Sequence, residues 1–251
     1  MAENKRLLIL GGTGEAADLA ERVAAQFPGR LEVTYSLAGR VQPERAIPAN
    51  VRVGGFGGAQ GLADFLSEQG IDLLIDATHP FAATISANAY DACQSSGTPR
   101  LSLVRPPWTL PPGVKFLEAE DMADGVWLLS AFAKRVLVTT GQRDLDILTD
   151  YPDIHFTVRV IEEASDPLNA DNINLLTGRP PYSLDDELAL LERLNIDCLL
   201  AKQSGGDMSV SKITAAIRRR IPIVLLRRPL PEPGEAVETV GAALLWLESH
   251  L

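Results

Sequence analysis

Short runs rich in Val, Ile and Leu alternate with amphipathic, helix-patterned stretches along most of this chain, and that alternation restricts the fold more than any other feature. Residues 6–10, 31–35, 51–53, 72–75 and 100–104 read as strands, with helical stretches such as EAADLAERVAAQF and GLADFLSEQG between them. Strands of this kind joined by crossover helices predict a parallel sheet covered by helices, an α/β fold. The pattern breaks at RPPWTLPPG, residues 105–113, where four prolines in nine residues exclude helix and interrupt any sheet ladder. Beyond it the alternation resumes. Strands are expected at 114–117, 136–139, 155–160, 173–176, 198–202 and 222–226, and helices near 120–132, 184–194 and 210–219. The expected organisation is therefore two α/β units of similar build: 1–104, a proline-rich hinge at 105–113, and 114–251.

Composition narrows the function. With 251 residues and 46% hydrophobic content the chain can fill two ordinary cores. A net charge of -10 and a pI near 4.8 argue against a nonspecific grip on nucleic acid, so an anionic ligand must be met by local basic clusters. Two cysteines far apart, Cys93 and Cys198, and three histidines support neither a disulfide framework nor a zinc site, and no metal site is expected. No apolar run reaches the length of a membrane span, and MAENKR leads into a short strand rather than a signal-peptide core; a cytoplasmic protein, monomeric or weakly self-associating, is expected.

The strand ends carry the chemistry. In LLILGGTGEAADLA a strand, a glycine-rich turn and a helix follow in the order that binds a pyrophosphate, with Gly12, Gly14 and Ala17 fitting G-x-G-x-x-A. The second strand runs into YSLAGR; Ser36 and Arg40 suit a 2′-phosphate, which favours NADP(H) over NAD(H) and over S-adenosylmethionine. The glycines around Phe56 in VGGFGG, Gly55 among them, fit either a close neighbour or ligand or an ordinary flexible loop. In DLLIDATHPFA, His79 stands where an open α/β sheet meets its ligands, as a structural hydrogen-bonding residue, a ligand contact or a proton donor.

In the second unit three strand ends set a hydroxyl or glycine beside a cation: Thr140 and Gly141 with Arg143, Thr177 and Gly178 with Arg179, and Ser204, Gly205 and Gly206 with Lys202. Loops of adjacent parallel strands would make these a basic rim that focuses an anion on an otherwise acidic protein. In SLDDELALLERLN, Ser183 is placed to cap the following helix, whose leucines 184, 188, 191 and 194 share one face.

LGGTGEA, SLAGR, GGFGG, DATHPFA, RPPW, TTG and KQSGG, in this order and spacing, resemble the precorrin-6A reductase family of cobalamin biosynthesis over nearly the whole chain. The resemblance implies two Rossmann-like domains with a cleft between them, and an NADPH-dependent reduction of one ring double bond of a polycarboxylated tetrapyrrole. It leaves open NADH as the donor and cobalt in the substrate. Carried over residue by residue, it places Gly11, Gly12, Thr13, Gly14 and Glu15 on the cofactor, and Ser36 and Arg40 on its adenosine phosphate. Thr78, His79, Pro80 and Phe81 fall near the nicotinamide, while Thr140, Gly141, Lys202, Ser204 and Gly205 face the cleft. Arg105, Arg143 and Arg179 join Lys202 as grips for substrate or cofactor anions. Two departures stand out: Ala16 where many members have glycine, and TGRPPY where the family often has SRGP followed by an aromatic, which leaves the contact of Arg179 open. His79, Tyr182 and water are the alternatives for the proton donor. Two other functions fit parts of the pattern, a nonenzymatic NADP(H)-sensing module and a tetrapyrrole methyltransferase.

Overall fold

A computed structural model describes residues 4–37, 39, 46–161 and 170–251. Along the chain run β1 (Lys5–Leu10), α1 (Gly14–Gln26), β2 (Leu31–Leu37), β3 (Asn50–Val53), α2 (Ala59–Glu68), β4 (Leu73–Asp76), α3 (Ala83–Ser96) and β5 (Arg100–Leu103). Then come β6 (Phe116–Ala119), α4 (Met122–Ser130), β7 (Arg135–Thr139), a 3-10 turn (Leu145–Asp150), β8 (His155–Val160), β9 (Ile173–Thr177) and α5 (Leu184–Arg193). The chain closes with β10 (Cys198–Lys202), α6 (Val210–Arg219), β11 (Ile223–Leu226), β12 (Glu235–Val237) and α7 (Val240–Ser249). No helix among the described residues is long and apolar enough to cross a membrane.

These elements form two compact units, residues 1–106 with 229–251, and residues 107–228. Each contains one six-stranded parallel sheet, ordered β12-β5-β4-β1-β2-β3 in the first and β6-β11-β10-β7-β8-β9 in the second. Both sheets therefore reverse their winding once, between β1 and β4 and between β7 and β10. Such a reversal opens a crevice at the carboxyl ends of the two central strands, where ligands of open α/β sheets bind.

The period of two explains why β1 is central. Leu7 and Ile9 enter one core with Leu19, Ala20 and Val23 of α1, while Leu8 and Leu10 enter another with Leu62 and Leu66 of α2. A strand covered on both faces has no polar side to show, hence the unbroken LLIL. In α5 the cap is as expected, Ser183 accepting from the Asp186 amide at 3.1 Å. The helix buries Leu190 and Leu191, and with them Glu187, a charge at a core position.

The domain boundary needs correction. The sequence assigned 114–251 to the second unit, yet β12 pairs with β5 and α7 packs its Val240, Ala243, Leu244 and Leu247 into the core beneath α1. Reciprocally, β6 follows β5 in the chain but pairs with β11. Each sheet thus lacks the strand that follows its own edge-side neighbour in the chain and carries the other in its place: β12 and not β6 beside β5, β6 and not β12 beside β11. A three-residue strand after PLPEPG offers no periodicity to read. Residues 104–111 form neither helix nor strand, consistent with their prolines, and Trp108 and Leu110 pack against the second unit's core.

Candidate functional site

In the first unit the turn after β1 is shaped by packing as much as by backbone freedom. A Cβ on Gly11 would lie 2.2 Å from the Tyr35 ring, whereas one on Gly12 would meet open space. Gly12 instead needs glycine for its φ of +107°. Tyr35 is buried, and its hydroxyl accepts from the Gly12 amide at 3.2 Å. Thr13 caps α1 by accepting from the Ala16 amide at 3.0 Å and donates to the Ala77 carbonyl at 2.8 Å, tying the two loops that flank the crevice. The open space over Gly12, with the start of α1 beneath it, fits the pyrophosphate of a dinucleotide.

Glu15 and Arg105, assigned from the family to cofactor and substrate, form an ion pair with each other at 2.8 Å in the first unit. Arg105 thus meets a carboxylate in the first turn of α1. On the other side of the crevice Asp76 is buried and accepts from the amide and hydroxyl of Thr78, at 3.1 and 2.6 Å. His79 Nδ1 accepts from the Phe81 amide at 3.2 Å, which in the neutral ring puts the proton on Nε2. Histidine thus folds the loop that carries Pro80 and Phe81 and also presents a donor.

Ser36 is buried at the end of β2, where its Oγ accepts from Arg52 at 2.8 Å. Arg40 lies outside the described residues. Arg52 went unnoticed in the sequence, because only the β2–β3 register sets it opposite Ser36. It also explains VGGFGG: the guanidinium donates to the Gly54 and Gly55 carbonyls at 2.9 and 3.2 Å and lies over Phe56, 3.9 Å from the ring centroid.

In the second unit the loops after β7 and β10 flank the crevice, and the loop after β9 lies two strands away, beyond β8. The expected rim of three adjacent loops is therefore two neighbours and an outlier. Lys202 is half-buried, its pKa lowered by burial first and by Arg143 second. Ser204 is buried and folds back on the Lys202 carbonyl, at 2.8 Å from its amide, so that Gly205 turns the chain at φ +65°. Gly141 turns at φ +92° with open space at its missing Cβ. Thr140, by contrast, is buried, and its hydroxyl donates to the Met122 sulfur at 3.7 Å.

Gly178 precedes the exposed Arg179 because a Cβ there would sit 2.6 Å from the Tyr182 hydroxyl. The Tyr182 ring lies under Arg159, 4.2 Å from the guanidinium, and burial raises its pKa. Arg159 in turn makes a two-pronged ion pair with Glu187, at 2.6 and 2.7 Å. Sequence reasoning missed this pair and Lys212; the signal for Arg159 was a charge at an alternating position of HFTVRV.

Lys212, in the first turn of α6, is buried with its ammonium 5.8 Å from the Trp108 ring. Burial, then Arg159, draw its pKa down from 10.5 to about 8, against the opposing pull of Glu187. Folding therefore weakens proton binding here. The folded state is penalised in full below the lowered pKa, and the penalty disappears as pH rises toward the ordinary lysine value. Lys212→Met is expected to be more stable than the parent at neutral pH, by about 1–3 kcal/mol, with the gap closing toward about pH 10 in paired urea titrations. Both thiols are buried, and burial pushes Cys93 up to about 11 and Cys198 up to about 12, which disfavours the thiolate.

A family model described as precorrin-6x reductase CbiJ/CobK matches residues 6–248. The precorrin-6A reductase of Rhodococcus erythropolis is 42% identical over 243 residues, covering 96% of this chain and 97% of its own. That of Sinorhizobium sp. is 37% identical, covering 98% and 95%. A solved structure titled CobK precorrin-6A reductase superposes with a TM-score of 0.90 at 34% identity, covering 98% of this chain and 97% of that one.

Proposed function

The chain belongs to the precorrin-6x reductase family, and from that premise we propose that it reduces a ring double bond of precorrin-6A, using NADPH. The observation that carries this reading is similarity along the full length, in both units, to proteins named for that reaction. The reduced nicotinamide, when bound, supplies the hydride.

In this reading the chain contributes placement. The turn from Gly11 to Thr13 and the start of α1 hold the pyrophosphate, and the donors at the end of β2 hold the adenosine end. The Thr78–Phe81 loop, pinned by Asp76, shapes the floor beside the nicotinamide. Lys202 and Arg143, with Arg179 farther along the edge, attract substrate carboxylates, and the buried charge of Lys212 adds to the same field. Hydride transfer must be matched by a proton to the neighbouring atom, and His79 and Tyr182 are the side chains suited to deliver it.

The test is single-turnover reduction of precorrin-6A by the purified protein, in its metal-free and cobalt forms, with NADPH and with NADH. Conversion of the tetrapyrrole matched by oxidation of NADPH is expected. NADPH binding without turnover would instead indicate a sensing module, and binding of S-adenosylmethionine a methyltransferase. His79→Gln is expected to lower the rate about 100-fold with nucleotide binding retained if His79 delivers the proton.

A further inference from the structure

Arg52 is a cation without an ion-pair partner among the described residues, held in place by neutral groups alone. Three of its five N–H donors are engaged, on Ser36 Oγ, the Gly54 carbonyl and the Gly55 carbonyl. The guanidinium lies against an edge-to-face pair of aromatic rings, with centroids at 3.9 Å for Phe56 and 5.1 Å for Phe65. Burial lowers its pKa from the ordinary value, as expected of a charge taken from water without a carboxylate in exchange. Such an arginine is preorganised: its rotamer is set, so a further hydrogen bond to an anion would cost little additional ordering.

Position supplies the rest. Arg52 pairs in register with Ser36 at the carboxyl ends of β3 and β2, in a sheet ordered 3-2-1-4-5 from β3 to β5. In sheets of this order the ribose of a dinucleotide bound at the first turn reaches the end of the second strand, where a carboxylate selects a free 2′-hydroxyl and an arginine a 2′-phosphate. Here the side chain at the end of β2 is a hydroxyl that accepts from Arg52 and keeps its own hydrogen to donate.

We infer that Arg52, backed by Ser36 and by the VGGFGG loop, binds the 2′-phosphate of NADPH and is the residue that selects NADPH over NADH. The inference rests on the reductase reading above but is tested separately, through binding. In calorimetric titrations, wild type is expected to bind adenosine 2′,5′-bisphosphate more tightly than 5′-AMP, and NADPH more tightly than NADH. Arg52→Gln is expected to weaken NADPH and the bisphosphate about 10- to 100-fold while leaving NADH and 5′-AMP unchanged. Ser36→Ala, a milder change, is expected to weaken NADPH several-fold with the same selectivity, and it carries the test if Arg52→Gln does not fold. Equal losses for all four ligands would assign Arg52 to support of the glycine loop and overturn the inference, as would unchanged NADPH affinity. A wild type that prefers NADH overturns it while leaving the reductase reading intact. Binding of neither dinucleotide removes both.

Discussion

Glu187→Ala is expected to destabilise the second unit by about 3–5 kcal/mol, seen as a large fall in the urea midpoint with the slope of the transition unchanged. Glu187 is 1% exposed, and the side chain of Arg159 is 8% exposed. Both Glu187 oxygens accept from Arg159, so truncation removes both bonds at once. What remains is a buried guanidinium whose Nε–H already has no hydrogen-bond partner among the described residues, with the lowered-pKa ammonium of Lys212 sensing the same charge. The penalty comes from the orphaned cation more than from the lost attraction. The double change Arg159→Met with Glu187→Leu is therefore expected to recover most of the loss. If the double variant were no more stable than Glu187→Ala, the damage would lie in the packing between β8 and α5 instead.

Gly11→Ala is expected to abolish dinucleotide binding, with an affinity loss of about 100-fold or more and a stability loss of about 1–3 kcal/mol. The added methyl group would fall 2.2, 2.5 and 2.6 Å from Cζ, the hydroxyl oxygen and Cε1 of Tyr35, so that the ring or the turn must move. Tyr35 is walled in by the core, and it supports the Gly12 amide; the turn is the part that yields. Adding Tyr35→Leu is expected to restore stability but only part of the affinity, since the support for Gly12 stays lost. Gly12→Ala is the contrasting case. Its Cβ meets nothing, and the penalty there comes from the positive φ. Urea titration and calorimetry on the four proteins separate the two causes.

The sequence by itself determined what depends on near neighbours along the chain. The LLIL run, the glycine-rich turn and the helix after it specify one another within a dozen residues, and the Ser183 cap acts over three; such features are legible because the period of apolar residues and the chemistry of caps are local. Glycines were legible as places where something comes close, but not what comes close. Gly11 faces Tyr35 and Gly178 faces the Tyr182 hydroxyl. The family resemblance likewise transferred a set of strand ends without their partners, and that Arg105 meets Glu15, 90 residues away in the chain, was not legible in it.

Only the tertiary structure decided which strands are neighbours, and from that the rest of the site follows. Ser36 meets Arg52 because β2 and β3 pair in one particular register. Arg159 of β8 meets Glu187 of α5 because the fold brings these two positions together. The exchange of β6 and β12 moves the last segment of the chain into the first unit, against the order in which the strands are made. Each of these is a choice among pairings that a strand's own pattern leaves equal: alternation states which faces are buried, and nothing in it names the neighbour. That choice is made by the summed fit of side chains across elements distant in sequence.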